Sequence, residues 1–331
     1  MKEYKPELAV YTPDQASGLA VKAVERMANN KQRGAHLGID VVGDYFAPVL
    51  PGQVCAIIAQ TSNYKSGFLH SWERSLAEQF VAEDRQEIII SVSVEEVIEE
   101  QVFLQLAHET GEEAGSLARG QVQDWDRLNA ASVKIATIPI FRIGDSLARP
   151  ENMSELYMSN MIKSIEALTS GSVTGTPLKP AALFFDYLQA FPFDPEVRRS
   201  SKVDQRRLQV REDIYRLRQA SLMFDCPVIV AVQAKQNLDG AKGDFQIPGM
   251  YDGEESSSIA QRSDRVITLW MPSKTHPPGY NLQYGNICTT VTEEMLFIRV
   301  AKQRGGLPAG KIFETHINFT RNQIVSGARL P

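Results

Sequence analysis

Three cysteines in 331 residues, odd in number and far apart at Cys55, Cys226 and Cys288, leave no room for a disulfide framework. The reading that fits is a cytoplasmic protein with reduced, buried thiols, two of them inside apolar runs. The five histidines show no ligand spacing with each other or with cysteine, so no zinc site is indicated. No apolar run approaches the ~20 residues that a membrane-crossing helix needs. The opening residues MKEYKPELAV also lack a signal-peptide core. Nor is there a surplus of basic charge. Lys and Arg number 35 against 40 Asp and Glu, a net charge of -5 that does not announce a nucleic-acid binder.

One absence is local. The apolar run Val54-Cys55-Ala56-Ile57-Ile58 leads into Ala59-Gln60-Thr61-Ser62-Asn63-Tyr64-Lys65-Ser66. A buried strand, a loop ending in Lys-Ser and a following helix form the layout of a phosphate-binding loop, whose pattern is G-x-x-x-x-G-K-[ST]. Lys and Ser are kept here, but Ala59 and Tyr64 stand where the glycines belong. In this layout the Lys65 ammonium meets the β- and γ-phosphates of a nucleotide. The Ser66 hydroxyl ligates Mg²⁺, and the helix N-terminus favours the anion.

What is present is an ordinary globular composition, 43% hydrophobic and 23% charged, with a length that suits one large α/β domain or two average ones. The charge is unevenly spread. Eight Glu and no Lys or Arg lie between Gln86 and Leu117, whereas eight basic residues crowd between Arg198 and Arg218. The second cluster can meet phosphates or can be an ion-paired helix face. Near the start, Thr12-Pro13-Asp14-Gln15 is a helix-start signal. Ala16, Leu19, Ala20, Ala23, Val24 and Met27 then recur on one helical stripe, which must bury itself on its own domain or on a neighbouring subunit.

From Pro48 onward strands and helices alternate. Strands are predicted at Val54–Ala59, Glu87–Val92, Val133–Ile138, Ala181–Phe185, Pro227–Val232, Arg265–Trp270, Met295–Ala301 and Lys311–Phe319. Helices are predicted through about Val81 and near Val94–Thr110, Gln121–Ala131, Ser154–Thr169 and Lys202–Met223. Apolar strands separated by helices imply a mainly parallel, twisted sheet covered on both faces. Ligands of such sheets gather at the carboxyl ends of the strands, where Lys65, Ser93, Asp186 and Gln233 lie. Leu183-Phe184-Phe185-Asp186 ends a buried strand in a carboxylate suited to supporting a metal beside Ser66.

Several segments resemble, in order, the motor domain of DnaB-type replicative helicases, members of the RecA-like ATPase superfamily. Phe185-Asp186-Tyr187-Leu188-Gln189 is similar to that family's DYLQ segment, and Pro51-Gly52-Gln53 precedes the first core strand as it does there. Pro227–Gln233 resembles PVI-x-x-SQ. Glu255-Ser256 with Ile259–Asp264 resembles RESG…IEQDAD, and Ala301-Lys302-Gln303-Arg304-Gly305-Gly306 resembles AKQRNG. The resemblance spans about residues 35 to 325 and does not extend to the family's separate N-terminal domain. It implies a RecA-like P-loop core over 36–331 and an N-terminal arm with a linker-type docking helix over 1–35. ATP and Mg²⁺ are the implied cofactors, a hexameric homo-oligomeric ring is the implied assembly, and single-stranded DNA is the implied partner. Asp186 would support the metal through water, and Gln233 would sense the γ-phosphate. Lys302 and Arg304 would reach a neighbour's nucleotide, Arg304 as the finger.

Two departures put hydrolysis in question. Tyr64 costs about 1–2 kcal/mol if the loop keeps positive φ there, unless the loop takes another shape. Ser93 stands where the family has the glutamate that polarises water, and a hydroxyl cannot take a proton as a carboxylate can. Glu95 and Glu96 are near in sequence and are the candidate replacements. For nucleic acid, the loops after Asp186 and Gln233 offer Phe191, Phe193, Arg198, Arg199 and Lys202, then Lys235, Lys242 and Phe245. An ATP-driven motor on single-stranded DNA is the first reading. A non-hydrolysing ring or assembly protein is the second, and a signalling or clock-type RecA-like ATPase the third.

Overall fold

The computed structural model describes residues 12–29, 34–148, 156–194, 205–238, 243–254, 257–284, 287–305 and 307–325. Strand β1 (Val54–Ala59) sits in the interior of a nine-stranded sheet and is buried along its whole length. Helix α1 (Pro13–Asn29) and the single turn α2 (Asp40–Gly43) precede it. The chain then runs through α3 (Lys65–Ala82), β2 (Ile88–Ser93), α4 (Ile98–Thr110), α5 (Ala114–Ala118), α6 (Trp125–Ile135) and β3 (Ile140–Ile143). There follow α7 (Met158–Thr169), β4 (Pro180–Asp186), α8 (Gln205–Met223), β5 (Val228–Gln233), α9 (Ser258–Arg262) and β6 (Arg265–Trp270). A hairpin, β7 (Asn281–Tyr284) and β8 (Ile287–Thr290), leads to β9 (Met295–Gln303), β10 (Ile312–Asn318) and β11 (Gln323–Val325).

Strand order in the large sheet is β11-β10-β9-β6-β1-β5-β4-β2-β3. The run from β3 to β6 is parallel, and β9, β10 and β11 add antiparallel pairs at one edge. The expected mainly parallel sheet is therefore present. Its two faces follow from the alternation of side chains along each strand. Cys55, Ile57 and Ala59 pack with Phe68, Leu69, Trp72, Leu76 and Phe80 of α3. Val54, Ala56 and Ile58 face the other way, onto Met161 and Ile165 of α7 and Val210, Ile214 and Leu217 of α8. A third cluster, built on Trp270, Phe297, Phe245 and Ile247, fastens the segment after β5 to the antiparallel edge.

The predicted strand at 133–138 does not form. Asp124 caps α6 by accepting the Arg127 N–H at 3.0 Å, and that helix runs on to Ile135, with Val133 71% exposed. Its apolar residues alternate like a strand, but the cap four residues upstream of Leu128 starts a helix that absorbs them. The strand of this unit is β3, which begins at Ile140 and pairs with β2. The thiol reading holds for Cys55 and Cys226, whereas Cys288 on β8 is exposed.

The capping reading at the start of α1 is realised reciprocally. The Gln15 N–H donates to Thr12 Oγ1 at 3.3 Å, and the Thr12 N–H donates to Gln15 Oε1 at 3.0 Å. All of the described side chains on this helix are solvent-exposed. Among the described residues, the stripe's Ala16, Leu19, Ala20, Ala23 and Val24 are thus left open to solvent.

Candidate nucleotide site

The carboxyl ends of β1, β2, β4 and β5 converge, because parallel pairing sets Ser93 beside Asp186 and Ala59 beside Gln233. Over them opens a cleft of about 500 Å³ lined by Thr61, Ser62, Lys65, Ser66, Glu95 and Gln233, among others. That size suits a small-molecule ligand. Ala59, Gln60 and Asn63 shape the loop from outside the cleft. Ala59 is buried at the end of β1. The Gln60 Nε2 donates to the carbonyls of Lys235 and Gln236 at 3.3 and 2.9 Å. Buried Asn63 donates to the Thr61 carbonyl at 3.0 Å and accepts the Met271 N–H at 2.8 Å.

Tyr64 keeps the glycine conformation rather than altering the loop, with φ 63° and ψ 29° just ahead of α3. Ser62 is also left-handed, at φ 61°. This side-chain-bearing loop therefore curls as a glycine loop does, at the strain cost expected for L-residues. Contacts at the far end of the chain hold it. The Tyr64 hydroxyl donates to Asn322 Oδ1 at 2.5 Å, and its ring meets Phe319 edge-on with centroids 6.3 Å apart. Burial pushes the phenol up to about 12. Ser71 and Arg74 of α3 fasten the same turn by donating to the Asn322 carbonyl.

Lys65 is 8% exposed, and its Nζ donates to Gln233 Oε1 at 2.8 Å and to the Gln60 carbonyl at 3.2 Å. Burial pulls its pKa down, against the opposing charges of Asp186 and Glu95. Gln233 spends its other group on Thr61, with Nε2 donating to Oγ1 at 2.9 Å. Gln189 holds the backbone of Gln233 from both sides, accepting its N–H at 2.9 Å and donating to its carbonyl at 3.2 Å. One residue thus joins the phosphate loop to the segment beyond β5.

Asp186 is 5% exposed, and neither of its carboxylate oxygens meets hydrogen-bond geometry with a partner among the described residues. Burial raises its pKa to about 6, although the nearby Ser66 hydroxyl favours the anion. A buried carboxylate with free oxygens beside a hydroxyl is a hard-oxygen donor set suited to a divalent cation. Ser66 and Asp186 thus fit Mg²⁺, with the ion's remaining ligands left to water and phosphate.

Both candidate glutamates line the cleft. Glu95 is exposed and has no hydrogen-bond or ion-pair partner among the described residues, while its charge bears on Lys65, Asp186 and Tyr187. Glu96 is engaged, its Oε2 lying 3.0 Å from His70 Nε2. Ser93 is buried, and its Oγ accepts the Glu96 N–H at 3.1 Å, so its hydroxyl serves the turn.

Lys302 and Arg304 do not line their own chain's cleft. Lys302 Nζ donates to the carbonyls of Ala260 and Ser263 at 2.6 and 2.8 Å, closing the end of α9. Arg304 pairs with Asp264 at 3.2 Å and donates to the Gln261 carbonyl at 2.6 Å, with its side chain 49% exposed. The nucleic-acid candidates are partly corrected. Phe191 and Phe245 are core residues, 0% and 1% exposed, so neither ring is open to a base. Lys235 forms an ion pair at 3.2 Å with Asp252, which is itself buried. Phe193 is exposed with Arg206 over its ring at 5.3 Å. Arg198, Arg199, Lys202 and Lys242 lie outside the described residues.

Sequence reading missed Tyr187, Lys274 and Phe319, which also line the cleft. Tyr187 was within reach, one residue past Asp186. Nothing local marks the other two, which follow β6 and β10 far along the chain.

The family model for the DnaB-like helicase C-terminal domain matches residues 36–323. The chain belongs to that family. No curated protein is matched by sequence. Among solved structures, one ATPase domain superposes with a TM-score of 0.71 at 15% identity, covering 97% of this chain and 100% of that one. A DnaB-like replicative helicase, described with its interactions with primase, gives 0.70 at 16%, covering 97% of this chain and 68% of that one. This DnaB-like domain therefore has the RecA-like α/β fold of those structures, with its cleft at the carboxyl end of the parallel strands.

Proposed function

We propose that this DnaB-like domain is an ATP-hydrolysing motor that works as a ring on single-stranded DNA. The observation that carries the reading is the junction at the cleft. Lys65 is bonded to Gln233, idle Asp186 lies beside Ser66, and unpaired Glu95 faces the same space. Lys65 and the N-terminus of α3 bind the phosphates, and Ser66 with Asp186 would hold Mg²⁺, which would neutralise charge on them. Glu95 takes the role of orienting and deprotonating the attacking water, in place of Ser93. Once phosphate engages Lys65, the Lys65–Gln233 bond is released and the change passes through Gln189 and the segment after β5. Lys302 and Arg304 act on the nucleotide of a neighbouring copy, and the exposed stripe of α1 docks on that copy. A hexamer is the proposed ring, by likeness to the family. Single-stranded DNA meets the loops after β4 and β5, through the basic residues of 198–202 with Lys242.

Ser93 and Tyr64 favour a second reading, a ring that binds nucleotide without turning it over. Phosphate release with Mg-ATP, with and without single-stranded DNA, separates the two. The motor requires turnover that Lys65→Ala and Glu95→Gln abolish. Arg304→Ala should lower it by about 10³-fold or more, as loss of an arginine finger does. ATP binding with no turnover in the unmodified chain sinks the motor and leaves the second reading.

A further inference from the structure

Beneath the cleft lies a buried polar cluster that the nucleotide chemistry leaves unused. His70, on α3 and 6% exposed, has Nδ1 at 3.3 Å from Glu73 Oε2 and Nε2 at 3.0 Å from Glu96 Oε2. Ionised carboxylates only accept hydrogen bonds, so a ring bonded to one at each nitrogen carries both protons and is an imidazolium. Burial alone would pull its pKa down, but the bonds to Glu73 and Glu96 raise it to about 10. Glu73 also accepts the Ser91 hydroxyl at 2.7 Å and lies 3.9 Å from Arg142. Arg142 donates to Gln101 at 2.8 Å, and Gln101 donates to the Glu96 carbonyl at 3.0 Å. Glu96 is thereby held three times, by its side chain on His70, its carbonyl on Gln101 and its N–H on Ser93. Glu95, one residue earlier, is held by none of these.

We infer that the His70–Glu96 ion pair is a positioning device that locks the turn after β2 and so aims Glu95 into the phosphate site, an inference that rests on the reading of that site given above. A carboxylate on an exposed turn wanders unless the turn is pinned, and the pin comes from the helix that begins at the phosphate loop. Among the described residues, the charged groups around the ring are Glu73 from α3, Glu96 from the turn and Asp186 from β4, with Arg142 from β3 acting on Glu73 and Glu96.

The test uses the full chain. In protein with ¹⁵N-labelled histidine, the His70 ring should show two protonated nitrogens at pH 8 and lose that signature in Glu96→Gln. His70→Leu and Glu96→Gln should bind a fluorescent ATP analogue as the unmodified chain does, yet lower kcat by about 10–100-fold, the cost of a misplaced catalytic group. His70→Gln, which restores one donor toward Glu96, should recover part of that loss. A neutral ring at pH 8 overturns the ion pair whether or not ATP is hydrolysed. An unchanged kcat in both His70→Leu and Glu96→Gln overturns the positioning role while leaving the reading of the site intact, provided Glu95→Gln remains inactive. No turnover in the unmodified chain overturns the reading of the site and the positioning role together, and the ring's charge then reports separately on the pair. Should His70→Leu not fold, Glu96→Gln, whose side chain is 25% exposed at the cleft edge, carries the kinetic arm.

Discussion

Tyr64 shows how one side chain can occupy a glycine's conformation when its neighbour gives way. Its ring covers the space over Gly67, where an added Cβ would sit 2.3 Å from Tyr64 Cε2. The loop thus still depends on a glycine, moved from the strained position to the first turn of the helix. Gly67→Ala should therefore displace the Tyr64 ring and lower the melting temperature, and Tyr64→Ala in the same chain should relieve that penalty. A double-mutant cycle by calorimetry checks it, and additive losses would refute the contact. Tyr64→Phe keeps the ring on Phe319 and removes the hydroxyl bond to Asn322, a loss of about 1 kcal/mol.

Among the elements, α8 looks in sequence like a basic nucleic-acid helix, yet several of its charges are turned inward. Arg216 forms an ion pair with the fully buried Asp194, and Gln209 Nε2 donates to both oxygens of buried Asp213 at 2.8 Å. Burial raises Asp213 to about 7, with Arg216 and Arg206 opposing. A carboxyl whose folded pKa lies above its ordinary value contributes stability at low pH and loses it as pH rises through the folded value. The melting temperature should thus fall between about pH 4 and 7 by a share that Asp213→Asn abolishes; parallel pH profiles of the two proteins would refute it. Much of this architecture was legible beforehand. Buried parallel strands are near-continuous apolar runs, so β1, β4 and β5 announce themselves, and Lys65 and Asp186 follow from the strand ends. Composition does not tell whether an aromatic will stack on a base or fill a core. Phe191 and Phe245 went to the core because the chain around them folds back onto the sheet. The bond from Tyr64 to Asn322 spans 258 residues and leaves no local signal, and the same holds for the packing of His70 against the turn after β2.

At the scale of the molecule, two features face outward from one copy. Arg304 is half exposed on the α9 side, away from its own cleft, and α1 presents Leu19 and Val24, 50% and 65% exposed, to solvent. An amphipathic helix gains little from its own hydrogen bonds and needs a surface for its apolar stripe. In the proposed ring a neighbouring copy would supply one, and the same contact would bring Arg304 toward the next cleft, so assembly and turnover would become one property. Leu19→Glu together with Val24→Glu should therefore reduce the oligomer to a monomer in sedimentation velocity. The melting temperature of the core should be unchanged, since these side chains are exposed among the described residues, and turnover should fall with the loss of assembly. An oligomer that persists in the double variant, or an unmodified chain that stays monomeric with Mg-ATP, would assign α1 to another partner. Loss of turnover without loss of assembly would instead separate the helix from the ring and leave Arg304 to reach its neighbour by a different contact.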